Sequence, residues 1–247
     1  MDLIFSYGGG WQSIAITLLI DQGKLRKPNR VIFADTGYEK ETTMKYFYEN
    51  VKPIFDRNKL KLEIAPHDLA TVDLYAKNGQ FLVPAFTSGG LLRKFCSKEW
   101  KTRVINRYLR KQGYGIKYPI INWMGFSKDE FSRMKENEAN WIKNEFPLIY
   151  DYPLTKIECR NLVIDSGLPS PFHSSCFFCP FQSDEEWLNL TLDDLHKAIK
   201  IEIEARENDP RKDLFFHKSR KPLNEVNFNE NRKEPDLFTC NEGSCFT

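Results

Sequence analysis

The chain has almost no net charge and no long apolar run. Its 36 lysines and arginines face 34 aspartates and glutamates, a formal balance of +2, so bulk electrostatics points neither to nucleic acid nor to an anionic membrane. The longest apolar runs are far too short to span a bilayer. Asp2 and an early run of glycines interrupt any secretory-type apolar start. The expectation is a soluble, cytoplasmic protein. No internal repeat or low-complexity tract is present. Among the 6 cysteines there is a single two-residue-spaced pair, Cys176 and Cys179, which sets aside a four-cysteine zinc ribbon. In a reducing compartment such cysteines are metal ligands, redox thiols or core residues rather than structural disulfides.

What is present is an alternation of buried strands and helices. At 247 residues and 41% hydrophobic content, the chain can bury one substantial core with an appendage. Leu3, Ile4 and Phe5 predict a first strand, and Ile14, Ala15, Leu18 and Leu19 recur at helical spacing until Asp21-Gln22-Gly23. Arg30 to Ala34 predicts a second strand, Lys40 to Val51 a helix, and Leu60 to Ala65 a third strand. This order predicts a parallel sheet with right-handed crossovers. His67 to Gly90 reads as an irregular excursion. Further helices are expected over Lys98 to Lys111, from Lys128 onward, over Lys156 to Ile164, and from Trp187 to Glu207, with a strand over Pro119 to Phe126.

Ser6-Tyr7-Gly8-Gly9-Gly10-Trp11-Gln12-Ser13 lies between the first strand and the first helix. Consecutive glycines let the backbone take positive φ and approach a ligand, and the N–H groups and dipole at a helix start favour an anion. Gln12 and Ser13 fall in the first helical turn, within reach of phosphate oxygens. The turn lacks the Gly-Lys-Ser/Thr ending of a Walker A loop and the glycine spacing of a dinucleotide fingerprint. Asp35-Thr36-Gly37 closes the second strand. If the two strands are neighbours, both turns face one crevice and Asp35 can accept from a ribose or an adenine amino group; the plainer alternative is an ordinary turn.

Cys176-Phe177-Phe178-Cys179 sits in a loop bounded by Pro171 and Pro180, where two thiolates can share one metal centre. The pair alone is equally compatible with redox chemistry, half a zinc site or part of an iron–sulfur site. Cys96 lies in a basic stretch with Arg93, Lys94, Lys98 and Lys101. Cys159, within an expected helix, reads as a core thiol, and His173 as a surface or capping residue rather than a fourth ligand.

In these motifs the chain resembles the phosphoadenylyl-sulfate (PAPS) reductase family of the adenine-nucleotide alpha hydrolases, also called PP-loop or N-type ATP pyrophosphatases. The superfamily turn Ser-Gly-Gly-x-Asp-Ser is matched by Gly8-Gly9-Gly10-Trp11-Gln12-Ser13, with Gly8 in place of the serine and Gln12 in place of the aspartate. Asp35-Thr36-Gly37-Tyr38-Glu39 with Thr42 resembles the second motif, and Arg93, Cys96, Lys98 and Lys101 the basic cysteine segment. Gly125-Phe126 with Asp129, Glu130 and Arg133 resembles the Gly-x-x-x-x-Glu-x-x-Arg element. Tyr152-Pro153-Leu154, Ser175 to Pro180 and Trp187 follow in order.

The resemblance implies an α/β, HUP-type (Rossmann-like) PP-loop domain with helices on both faces over residues 1–190. Residues 191–247 then form a helix and a polar tail holding Cys240 and Cys245. It implies that Ser6, Gly8, Gly9, Gly10, Gln12, Ser13, Asp35, Thr36 and Gly37 bind ATP, or PAPS or adenylyl sulfate, with Mg2+. Lys98 and Arg133 would offset developing charge. Cys96, Cys176 and Cys179 would hold a 4Fe-4S cluster, ahead of zinc, and Cys240 and Cys245 would act as sulfur carriers or a redox pair. The leading expectation is cleavage of ATP to AMP and pyrophosphate, adenylating an acceptor for sulfur transfer to a nucleobase or nucleic acid from a sulfur donor. The alternatives are a reductase of PAPS or adenylyl sulfate resolved by thioredoxin or glutaredoxin, and a non-catalytic nucleotide- or metal-binding module. The tail departs from the reductases' single-cysteine ending, and Ser97 follows Cys96 where iron–sulfur reductases carry a second cysteine.

Overall fold

A computed structural model describes residues 1–92 and 95–229. Five strands form one parallel sheet in the order β3-β2-β1-β6-β7: β1 Asp2–Tyr7, β2 Arg30–Ala34, β3 Leu62–Ala65, β6 Ile120–Met124 and β7 Ile142–Glu145. The short strands β4 Phe86–Thr87 and β5 Gly90–Leu91 pair separately as an antiparallel hairpin. The fold is thus Rossmann-like α/β, as expected.

Strand alternation divides the core. Leu3, Phe5, Tyr7, Val31 and Phe33 face a cluster completed by α1 Trp11–Asp21, α3 Lys52–Arg57 and α6 Lys156–Asp165. Ile4, Ile32 and Ala34 face the other side, where Val104, Ile105 and Leu109 of α4 Arg103–Lys111 cover them. Helix α1 is buried along Ser13 to Ile20 because α6 covers the face turned from the sheet, which explains its near-continuous apolar sequence. Each large apolar side chain buried this completely contributes about 1.5–3 kcal/mol.

A third apolar cluster joins the excursion (Phe81, Val83, Ala85), the cysteine loop (Phe177, Phe178), α7 Asp184–Leu188, α8 Leu192–Asn208 and the segment carrying Leu214 and Phe216. Asp209 fastens it: its carboxylate accepts from Phe81 N at 2.5 Å and from Arg211 N and Nε at 2.8 and 2.7 Å.

Some elements differ from expectation. The helix begun by α2 Glu41–Tyr46 continues through a π turn, Phe47–Val51, into α3 rather than ending at Val51. The segment after Lys128 is two 3-10 turns that meet at a kink at Glu130, together spanning Lys128–Arg133. The helix expected from Trp187 is two, α7 and α8, because Thr191 caps a new start by accepting from Asp194 N. Strand β7 and the short α5 Pro147–Tyr150 were not anticipated.

Candidate functional site

The glycine turn links β1 to α1. Gly9 has φ +78°, and a Cβ there would lie 2.9 Å from Ser174 Oγ. Gly10 occupies the N-cap position without any side-chain cap, so the first N–H groups of α1 are not satisfied by a side chain. Ser13 Oγ instead accepts from Gly8 N at 3.0 Å, drawing the turn over the helix start. On the far side, a Cβ on Gly125 would sit 3.2 Å from Ser13 Oγ, so glycine is what lets the β6 turn come this close.

In this strand order, β1 and β6 diverge to the two halves of the sheet, and ligands of open α/β sheets collect at such a switch point. A cavity opens there, lined by Ser6, Ser13, Lys101, Asn122, Gly125 and Phe126 among others. Ser6 on β1 and Asn122 on β6 are diagonal neighbours, Ser6 Oγ donating to Asn122 Oδ1 at 2.6 Å. Asp35, at the end of β2, does not line this cavity; its Oδ1 accepts from Gly37 N at 2.8 Å in a local turn.

A second cavity lies on the β2 side. Cys96, Cys176 and Cys179, separated in sequence, all line it, with Thr36, Trp100, Lys101, Ser174, Ser175 and Phe178. Its empty volume is about 510 Å³, part of it open to solvent. The cysteine loop is held by its neighbours: Ser174 Oγ donates to Gly8 O at 2.8 Å and Phe177 N to Tyr38 O at 3.0 Å. Cys176 pairs as an isolated bridge with Glu39, and its Sγ lies 3.7 Å from Thr36 Oγ1. Burial, and then the Glu39 carboxylate, push the Cys176 thiol well above its ordinary range, while Lys101 pulls it down. Ser175 Oγ is buried without a hydrogen-bond partner. Among the described residues no three His, Cys, Asp or Glu side chains gather round a single ion position; the three thiols are distributed over the cavity wall.

Lys101 belongs to both cavities. Its ammonium lies 3.6 Å from Glu39 Oε1, with the side chain 14% exposed. Lys98 lines neither cavity: it pairs with Glu138 at the surface, 46% exposed. The stretch Ser97–Thr102 is a π turn, whose i→i+5 bonding shifts the phase of side chains relative to the α-helix read from sequence. Lys101 lies inward on this stretch.

Arg133 pairs with Glu130 and stacks its guanidinium 4.9 Å over the Phe126 ring. Glu130, 4% exposed, also accepts from Ser127 Oγ at 2.8 Å and from Gln12 Nε2 at 2.8 Å, and has Lys156 at 3.7 Å. Arg133 therefore reaches the glycine turn through Glu130 and Gln12.

Cys159 is fully buried in α6 and its thiol is pushed up to about 12 by burial first, as a core residue should be. His173 Nδ1 lies 2.7 Å from Glu186 Oε1. Arg103, Arg107 and Arg110 form no simple solvated face: they bind Glu99 and Glu138, Leu69 O, and the Trp141 ring respectively. After Arg206, Arg211 pairs with Asp209 and Lys218 with Asp184. Cys240 and Cys245 lie outside the described residues, as do Arg93 and Lys94. No described helix is long and apolar enough to cross a membrane.

No family model matches the chain, and no curated protein does. Among solved structures, it is similar to phosphoadenylyl-sulfate (PAPS) reductase from Candida auris, a phosphate complex, at 13% identity and a TM-score of 0.42, covering 69% of this chain and 75% of that one. It is also similar to the U34-tRNA thiolase NcsA from Methanococcus maripaludis with its [4Fe-4S] cluster, at 13% identity and a TM-score of 0.43. That match covers 84% of this chain and 66% of the thiolase.

Proposed function

We propose that this chain is an adenine-nucleotide enzyme that cleaves ATP between the α and β phosphates and adenylates an acceptor for sulfur transfer. The observation that carries this reading is the position of Lys101, which lines the cavity beside the glycine turn and the cavity holding three thiols. One cation then faces both the phosphates and the sulfur chemistry.

In this reading Gly8 to Ser13 hold the pyrophosphate through backbone N–H groups and the Ser13 hydroxyl. An acceptor oxygen attacks the α-phosphorus, the bond to the bridging oxygen breaks, and pyrophosphate leaves with the displaced electron pair. Lys101 offsets the charge that develops, a form of stabilisation in which one well-placed donor is worth about 3–4 kcal/mol. A sulfur nucleophile then displaces AMP from the acceptor. Arg133 acts as a positioning residue through Glu130 and Gln12.

Gln12 and Glu130 do not fit a Mg2+ site at the turn. One is a neutral amide, and the other is already engaged by Ser127, Arg133 and Lys156. Mg2+ would arrive with ATP, and no residue here is assigned to it. Cys96, Cys176 and Cys179 fit an iron–sulfur cluster by donor chemistry: three sulfurs in a wall that is otherwise mainly apolar. Such a cluster, when bound, would supply an iron at which sulfur is carried.

Anaerobic purification followed by iron and sulfide analysis, with pyrophosphate release from ATP, tests the reading. Iron with acid-labile sulfide and ATP-dependent pyrophosphate release support it. Sulfite release from PAPS with thioredoxin, without action on ATP, replaces it with the reductase. Nucleotide binding without either reaction replaces it with the binding module.

A further inference from the structure

The switch-point cavity has a polar wall that the phosphate chemistry does not use. Asn106, on α4, and Asn137, in the loop before β7, both line it beside Ile105 and Met124. Asn137 Oδ1 accepts from Ala139 N at 3.0 Å, which fixes the orientation of that amide. The same oxygen accepts from Asn106 Nδ2 at 2.9 Å, which fixes the second amide in turn. The return bond, from Asn137 Nδ2 to Asn106 Oδ1, is 3.4 Å long, at the weak limit for an N–H···O bond. Each Nδ2 thus keeps one N–H and Asn106 Oδ1 keeps one lone pair, and a ligand that meets Asn137 Nδ2 and Asn106 Oδ1 together finds a donor beside an acceptor.

We propose that Asn106 and Asn137 read the base of the bound nucleotide and select adenine over guanine. Adenine presents an amino donor next to a ring-nitrogen acceptor, the complement of this pair and the edge that Asn reads in nucleic acids. Ile105 and Met124 supply apolar wall for the ring, while Ser13 and Gly125 place the same cavity against the glycine turn. The inference rests on nucleotide binding at the glycine turn but not on any reaction there. A purely structural role, clamping the 137–139 turn to α4, would use only Asn137 Oδ1 and would carry no base preference.

Equilibrium binding of ATP, GTP and inorganic pyrophosphate to the full chain and to Asn137→Asp separates the two. The variant keeps the oxygen that accepts from Ala139 and Asn106 but exchanges the donor for an acceptor, which suits the N1–H and N2–H of guanine and repels the ring nitrogen of adenine. The wild-type chain should bind ATP at least tenfold more tightly than GTP. Asn137→Asp should abolish or reverse that ratio while pyrophosphate affinity changes less than threefold. An unchanged ATP preference in the variant, or none in the wild type, overturns the assignment with the phosphate site intact. Failure of the wild type to bind both ATP and pyrophosphate removes the nucleotide reading itself. Should Asn137→Asp not fold, Asn106→Ser, which leaves the Ala139 turn untouched, must lower the ATP-to-GTP ratio by the same criterion.

Discussion

Gln12 Nε2 donates to Glu130 Oε2 at 2.8 Å, so the residue that stands where the superfamily turn has an aspartate is bonded to a buried carboxylate. An aspartate here would face Glu130, itself 4% exposed, as a like charge. Gln12→Glu, which reaches the same point with a carboxylate, should therefore destabilise the fold by about 2 kcal/mol or more, on the scale of a buried charge left without its partner. The urea unfolding midpoint measures this. An unchanged midpoint would mean that Gln12 and Glu130 are not coupled.

The two lysines of the π turn should part company. Lys101→Ala is expected to lower turnover by about 10²–10³-fold, the scale for losing one preorganised donor at a developing charge. Lys98→Ala breaks an exposed pair with Glu138, of a kind worth under about 1 kcal/mol, and should leave turnover within about threefold. Steady-state rates of pyrophosphate release decide it, and equal losses would return Lys98 to the site.

Gly9 should not tolerate a side chain. Gly9→Ala puts a Cβ at positive φ and 2.9 Å from Ser174 Oγ. The backbone term alone costs about 1–2 kcal/mol, and pyrophosphate affinity should fall at least tenfold. Adding Ser174→Gly to it removes the collision but not the backbone term, so titration calorimetry should show partial recovery only.

Acid stability should depend on two carboxylates. The Arg211 guanidinium, bonded to Asp209, lowers that carboxyl to about 2 against its burial, and Arg30 does the same for Glu63, also to about 2. A depressed carboxyl stabilises the fold fully above its unfolded value near 4 and loses that contribution as pH falls toward 2. By their shifts they contribute on the order of 2 kcal/mol for Asp209 and 3 kcal/mol for Glu63. Stability measured by urea melts should be level with respect to these groups above about pH 5 and fall between about pH 4 and 2. Asp209→Asn should be less stable at neutral pH and show a shallower acid limb. An acid limb as steep as in the parent chain would remove Asp209 from the account.

Cys159 should be separable from the other thiols. Cys159→Ala should leave iron and sulfide content unchanged, at a cost of about 1 kcal/mol in stability from the lost buried group. Cys96→Ala, Cys176→Ala or Cys179→Ala should each lower cluster content. Loss of iron on changing Cys159 would contradict its assignment to the core.

Strands β1 and β2 were legible because parallel strands buried on both faces read as unbroken apolar runs, and Leu3 to Phe5 and Val31 to Ala34 are such runs. Strand β7 escaped because Ile-Lys-Asn-Glu is an edge strand with one buried residue, Ile142, so neither periodicity nor composition marks it. The glycine turn and the Cys176–Cys179 pair stood out because a turn at positive φ and closely spaced thiols require particular residue types, and the structure places both beside cavities. What stayed hidden depends on phase and closure. Lys101 was legible as part of the basic cysteine segment, but its place between two cavities was not, and Asn106 meets Asn137 only because the loop before β7 folds back on α4. The switch point between β1 and β6 likewise depends on strand order, which local sequence does not encode.

Ser174 is 166 residues from Gly8, whose carbonyl it binds. A chain emerging from the ribosome in order makes all five strands of the main sheet before the residue that closes the back of its glycine turn. Every nascent form short of Ser174 is thus a scaffold with an open turn and without Cys176 and Cys179. The order of synthesis thus completes the sheet first and delivers the turn's closing hydroxyl and the two thiols of the loop together, within six residues of one another.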